Sequence, residues 1–300
     1  MKKTGEITEV TLANAYRSLI YEVYPGILFA FNHVHTSTLP TMPQTMDDCI
    51  CTINYAASGT CGLYSSNGKY IYLRSGELMI SNEQAANSFE YPVGSYCGVE
   101  IYIMRKVLEH SEKLAFFKID VEQMLYTYLP EQYQTVIAEN LSLLKNTLAD
   151  ISMLYEMKIL DLNLLRLHIF YILRLLTAGV IESHSGYEGA LTKSQVDMAK
   201  KAEHILTANL ADRKTIAHIA GTMGISPSSL KNYFKAVYGQ NISDYLRGKR
   251  IERAKKLLIE TKYSILEIAN QVGFESQSKF TEMFHTELSL TPTEYRRTHR

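Results

Sequence analysis

One stretch of this 300-residue chain repeats itself. Thr215-Ile-Ala-His-Ile-Ala-Gly-Thr-Met-Gly224 lies over Ser264-Ile-Leu-Glu-Ile-Ala-Asn-Gln-Val-Gly273 at an offset of 49. Ile216 meets Ile265, Ile219 meets Ile268, Ala220 meets Ala269, Met223 meets Val272 and Gly224 meets Gly273. After one inserted residue the offset becomes 50, so that Ser226 meets Ser276, Leu230 meets Phe280 and Phe234 meets Phe284. Self-similarity of this kind means two copies of one supersecondary unit.

Each copy has the parts of a helix-turn-helix. Apolar residues at i, i+3, i+4 and i+7 give the first helix one buried face, and its alanine lets a second helix cross closely. The glycine after the last apolar position suits a left-handed C-cap. In the first copy Ser226 is the expected N-cap of the second helix and Pro227 its first residue. In the second copy Ser264 and Glu267 fit a capping box. Leu230, Phe234 and Val237 form one inner stripe, and Phe280, Phe284 and Leu288 the other. The opposite faces hold Ser228, Lys231, Asn232 and Lys235, and Gln277, Ser278, Thr281, Glu282 and His285, with Lys279 beside them. Short polar side chains on an exposed N-terminal helical face suit base-edge contacts in a major groove. Two such helices suit successive grooves roughly 34 Å apart. Residues 242–259 read as one joining helix that carries Arg247, Lys249, Arg250, Arg253, Lys255 and Lys256. Thr291-Pro-Thr-Glu294 fits a further capping box, opening a short last helix.

The total charge hides this organisation. Residues 1–191 hold 13 Lys and Arg against 20 Asp and Glu, a net of −7, and residues 192–300 hold 18 against 11, a net of +7. Sixteen of the 21 tyrosines and all four cysteines fall in the acidic part. A basic module of this size can neutralise phosphates. The expected division is a domain at 1–184, a linker at 185–192 and a second domain at 193–300.

Lys249-Arg-Ile-Glu-Arg-Ala-Lys-Lys-Leu-Leu258, Ser264-Ile-Leu-Glu-Ile-Ala269, Val272-Gly-Phe-Glu-Ser-Gln-Ser-Lys-Phe280 and Thr291-Pro-Thr-Glu-Tyr-Arg296 resemble the signature of AraC/XylS-family transcription regulators. The resemblance covers about the last 100 residues. It implies a seven-helix DNA-binding domain, usually joined to a cupin-like effector-binding or dimerisation domain. The fold expected is therefore α+β in two domains, a cupin-like β-barrel with helices followed by an all-α domain with two helix-turn-helix motifs. The resemblance also implies a transcriptional activator that works on double-stranded DNA with RNA polymerase and is not an enzyme. Three positions depart from the family pattern. Glu282 and Asn232 stand where arginine is usual, and Ser289 stands where glycine is usual. A carboxylate accepts from cytosine N4 but repels phosphates, so the first unit is expected to supply more of the affinity.

The first ~110 residues read as β, through Tyr24-Pro-Gly-Ile-Leu-Phe-Ala-Phe31, Cys49-Ile-Cys-Thr-Ile-Asn-Tyr55, Tyr70-Ile-Tyr-Leu73, Leu78-Met-Ile80 and Val99-Glu-Ile-Tyr-Ile-Met104. Asn67-Gly68 fits a type I′ hairpin turn. From Val121 the pattern turns helical, with Val136, Leu141, Leu144, Leu148 and Ile151 as one stripe and Leu162, Leu165, Ile169, Ile172, Leu173 and Leu176 as another. Such stripes bury against the barrel or against a second copy, and at least one helix is expected in a homodimer interface. Tyr24, Tyr55, Tyr64, Tyr72 and Tyr102 are candidates to line a pocket for a small-molecule effector with aromatic walls and hydroxyl groups. A constitutive dimer without ligand is the alternative.

His33 and His35 share a strand face, as cupin-type metal ligands do, but no glutamate follows closely and the next histidine is His110. Structural or surface histidines are expected, and no metal. Cys49, Cys51, Cys61 and Cys97 lack C-x₂₋₄-C knuckles. They also do not match the four-cysteine zinc module that alkylation-response regulators join to this DNA-binding type. Buried, reduced thiols in the cytoplasm are expected. A cupin-type metalloenzyme is the remaining enzymatic reading, but no nucleophile–base constellation or phosphate-cradling loop supports it, and no cofactor is implied. The start Met-Lys-Lys-Thr-Gly-Glu has no apolar core for a signal peptide. Arg166, His168 and Arg174 interrupt the most apolar run, so no membrane span is expected.

Overall fold

Short alternating segments rich in Tyr, Ile, Val and Phe build the first part of the chain. The computed structural model describes residues 2–4, 7–12, 15–38, 48–83, 89–139, 141–157, 161–186, 188–212 and 214–299. The chain divides into two units, Met1–Lys193 and Ser194–Arg300. In the first unit the strands are β1 (Lys2–Thr4), β2 (Ile7–Leu12), β3 (Tyr16–Tyr24), β4 (Ile27–Val34), β5 (Cys49–Tyr64), β6 (Tyr70–Arg74), β7 (Leu78–Ser81), β8 (Phe89–Glu90), β9 (Tyr96–Met104), β10 (Thr135–Ala138) and β11 (His184–Ser185). They pair in the order β1-β2-β3-β4-β9-β5-β7-β10-β11, with β6 and β8 also on β5. β1 and β11 are the ends of this ladder, and among the described residues no pairing closes it.

The 16-residue strand β5 joins two layers. Its residues 49–59 pair with β9 and its residues 60–64 with β6. Register shifts at Cys49/Cys51 and Ala56/Ser58 mark irregularities in the ladder, the kind of bulge that bends a strand. The helices of this unit are α1 (Ser111–Ala115), α2 (Val121–Tyr128), α3 (Lys145–Glu156) and α4 (Leu162–Thr177). Ile27, Phe29 and Phe31 of β4 and Val99, Ile101 and Ile103 of β9 share one core with Leu165, Ile169, Ile172, Leu173 and Leu176 of α4. The expected leucine stripe of α4 is therefore buried within its own unit, where each such side chain stabilises by about 1.5–3 kcal/mol. The opposite sheet face packs a second core that includes Val34, Ala56, Cys61, Leu63, Ile71 and Tyr96.

Two local expectations change. Val136 lies in β10, opposite Ile80, and not in a helical stripe, because the β-branched run Thr-Val-Ile-Ala extends the edge of β7. The Asn67-Gly68 turn is not type I′, since only Gly68 has positive φ (81°). Asn67 Oδ1 instead accepts the Lys69 N–H at 3.2 Å, while the Gly68 N–H bonds Ser65 O at 3.0 Å. The segment expected as a linker is tied down at both ends. β11 pairs with β10, and Leu191 exchanges two backbone hydrogen bonds with Tyr70, at 2.8 and 2.9 Å.

The second unit is helical throughout. Its helices are α5 (Lys193–Thr207), α6 (Ile216–Thr222), α7 (Pro227–Tyr238), α8 (Ile242–Glu260), α9 (Ile265–Gln271), α10 (Gln277–Leu288) and α11 (Pro292–His299). Among the described residues no helix is long and apolar enough to cross a membrane.

Candidate nucleic-acid interface

Both repeat copies fold as helix-turn-helix units, and their caps follow from the local sequence. Thr215 Oγ1 accepts the His218 N–H at 3.2 Å to open α6. Gly224 then takes φ 68°, and Ser226 Oγ accepts the Ser229 N–H at 3.0 Å to open α7 on Pro227. In the second copy Ser264 and Glu267 form a full capping box on α9. Gly273 takes φ 87°, and Ser276 Oγ accepts the Lys279 N–H at 3.3 Å to open α10. The two turns differ in room. A Cβ on Gly273 would stand 2.2 Å from Leu210 O, whereas a Cβ on Gly224 would meet nothing within 4 Å.

Leu230, Phe234, Phe280 and Phe284 are completely buried. Phe234 packs edge-on against Tyr245 at 5.3 Å, and Phe284 against Tyr295 at 5.5 Å. With these residues inward, helical periodicity turns Ser228, Lys231, Asn232 and Lys235 outward, and all four are exposed. On α10, Gln277, Ser278, Lys279 and Glu282 are exposed and Thr281 is half-buried. Gln277, Ser278, Thr281 and Glu282 come together in an open depression with His285, Thr286 and Thr291. Lys279 is not part of that lining, and its Nζ stands 3.8 Å from Glu275. Thr286 and Thr291 escaped the sequence reading as surface residues, because Thr291 was read only as a cap.

Charge is distributed unevenly over this unit. Lys231 and Lys235 form no ion pair among the described residues, so α7 presents an uncompensated positive face. Of the six cations on α8, Lys249, Arg250 and Lys255 lie over the rings of Tyr245, Phe274 and Tyr295 at 5.3, 5.6 and 5.9 Å. Arg247 reaches Asp244 at 3.3 Å and Glu287 at 3.7 Å. Arg253 and Lys256 are exposed. Much of the basic helix therefore braces its neighbours through cation–π and ionic contacts.

The tyrosines expected to line a pocket each have their own surroundings. Tyr24 donates to His110 O at 2.9 Å and packs on Phe170. Tyr55 packs against the helix-side core. Tyr64 is partly exposed beside Tyr70. Tyr72 is buried, with its hydroxyl on Glu90. Tyr102 donates to Glu100 Oε2 at 2.7 Å. Burial pushes the Glu100 carboxyl above its ordinary value, against the opposing bonds from Tyr102 and Asn32. In the sequence Glu100 is one acid inside the strand segment Val99-Glu-Ile-Tyr-Ile-Met104, and its inward placement is not local. His33 Nδ1 lies 2.9 Å from Cys97 Sγ, and His35 is exposed. Burial pushes the Cys49 thiol up to about 11 and those of Cys51 and Cys61 higher still.

Comparison with known proteins agrees with this geometry. A family profile described as a helix-turn-helix domain matches residues 219–298. The Transposon Tn10 TetD protein of Escherichia coli is 30% identical over 126 residues, which are 39% of this chain and 91% of that protein. An AraC-like transcription regulator of Streptomyces lividans is 37% identical over 83 residues, 28% of this chain and 27% of its own. A crystal structure of a transcriptional regulator from Chromobacterium violaceum, described by its AraC-type DNA-binding domain, is 28% identical. It covers 36% of this chain and 93% of its own, with a TM-score of 0.32. The chain thus spans most of one relative's length but under a third of another's.

Proposed function

The chain belongs to the AraC-type helix-turn-helix family of DNA-binding transcription regulators, and from that premise we propose that it is a homodimeric activator whose helices α7 and α10 enter successive major grooves of double-stranded DNA. The observation that carries this reading is the matched pair of surfaces, two exposed polar faces backed by fully buried phenylalanines. Ser228, Lys231, Asn232 and Lys235 are the contacts assigned to α7, and Gln277, Ser278, Lys279, Thr281 and Glu282 those assigned to α10. The uncompensated lysines of α7 favour the first copy as the main source of affinity, because phosphate neutralisation dominates binding strength. Glu282 then acts mainly on base preference.

The first unit is proposed as a cupin-like domain that binds a small-molecule effector and dimerises. Its two-layered sheet with a core on each face supports the first role. Exposed Leu167 and Tyr171 on α4 support the second. An effector would act by changing the population of the DNA-competent arrangement. Contact with RNA polymerase and a cytoplasmic location are part of the same proposal, and the family likeness supports them. No enzymatic role is assigned.

The test is a titration of the full chain against duplexes selected from a random pool, repeated over a range of salt. The reading predicts that log K falls linearly with log[salt], with a slope near −0.9 for each phosphate neutralised. A flat dependence contradicts it.

A further inference from the structure

We infer that the inner sheet face of the first unit, around Glu100, is a binding site for a cationic amine. The inference rests on the proposal that this unit binds an effector, and it names the chemical class.

Glu100 lies on β9, opposite Ala30 of β4 on one side and Asn54 of β5 on the other. Val99 and Ile101, its neighbours in sequence, belong to the helix-side core. Strand alternation therefore turns Glu100 and Tyr102 to the other face. Ala30 and Val34, on that same face of β4, are completely sealed, yet Glu100 and Tyr102 both keep accessible surface. A central strand flanked by partners on both sides leaves such surface only where space opens above it.

The charge on Glu100 is not balanced by the polar groups around that space. Asn32 Nδ2 and Tyr102 Oη both donate to Glu100 Oε2, at 3.1 and 2.7 Å. The Tyr16 hydroxyl donates to Asn32 Oδ1 at 3.3 Å, and the Tyr96 hydroxyl to Asn54 Oδ1 at 2.8 Å. These four donors are thus committed inside the protein. Glu100 Oε1 accepts no hydrogen bond and no cation pairs with Glu100 among the described residues. Ser18, opposite Asn32 on β3, is 1% exposed. Its Oγ lies near the Tyr16 hydroxyl but makes no hydrogen bond of normal geometry. A half-buried carboxylate without a counter-charge and a buried hydroxyl without a well-formed hydrogen bond both carry a cost that a ligand can relieve. What is left over includes a carboxylate oxygen and its negative charge without a cation, with tyrosine rings beside it. That set matches an ammonium group, through charge-assisted hydrogen bonds and ring-face attraction. It disfavours a carboxylate or phosphate.

Calorimetry and thermal shift on the full chain test this with benzylamine, putrescine and choline as cationic probes. Benzyl alcohol, benzoate and glucose are the controls. At least one cation is expected to bind and raise the melting temperature, and Glu100→Gln to weaken it at least about tenfold. Ser18→Ala, a milder change, is expected to weaken the same probe several-fold even if Glu100→Gln folds poorly. Binding of benzoate or an uncharged control without binding of any cation overturns the charge class while leaving the effector reading intact. A cation whose affinity neither variant alters overturns the assignment of the site to Glu100. Failure of every cationic probe overturns the inference without touching the effector reading.

Discussion

Ser289 occupies a backbone position that favours glycine. It ends α10 with φ 55°, and Gly239 ends α7 at the corresponding place with φ 73°. A left-handed conformation costs an L-residue about 1–2 kcal/mol, and the extra freedom of glycine in the unfolded chain returns part of that. Ser289→Gly is therefore expected to stabilise the second unit by about 0.5–1 kcal/mol, read by denaturant unfolding. Glu100 poses the opposite case. Burial raises its folded pKa above the ordinary 4.5, while Tyr16, Tyr91 and Tyr96, also raised, stay neutral. The folded state thus holds the proton more tightly than the unfolded state does. Stability from this group is complete below pH 4.5 and is lost as pH rises through the folded pKa. Glu100→Gln is expected to melt higher than the parent at pH 7–8, with the difference vanishing near pH 4. Equal melting curves at both ends would refute it. Ser289 stood out in the sequence as a departure from a pattern, whereas Glu100 did not, because its inward placement depends on partners far along the chain.

The repeated helices could be read from sequence because everything that forms them is local. Ser226, Ser264 and Ser276 cap within three residues, and the stripes obey one period. β10 and β11 could not be read that way. Thr135–Ala138 is a strand through its pairing with β7, more than fifty residues earlier, and His184–Ser185 through its pairing with β10. Even between the copies, sequence equivalence conceals a difference in packing. Gly224→Ala meets only the left-handed backbone, at about 1 kcal/mol. Gly273→Ala adds a collision with Leu210 O and is expected to cost about 2–4 kcal/mol. Equal losses on thermal unfolding would show that the second turn is not tighter. The recognition helices should also differ in kind. Lys231→Ala is expected to weaken all duplexes alike and to reduce the salt slope by about 1. Glu282→Ala should raise general affinity and relax preference at one base pair by about 1–3 kcal/mol. Fluorescence anisotropy on matched and single-substituted duplexes separates the two, and no change in either variant would remove both helices from the interface.

For the whole molecule, zero net charge is a cancellation between −7 before residue 192 and +7 after it. The division assigned DNA contact to the second part, although the cation–π and ionic contacts that α8 makes show that its charge total overstates what is available to phosphates. The segment between the parts is hydrogen-bonded to the first unit through β11 and Leu191. The central claim is that one chain sets two unlike recognition helices on one duplex. Hydroxyl-radical footprinting of the full chain on its selected duplex tests this most directly. Two protected segments per chain, about one helical turn or 10 base pairs apart on the same face, are predicted. A single protected segment, unchanged when the α10 surface is altered at Gln277 and Glu282, would contradict it.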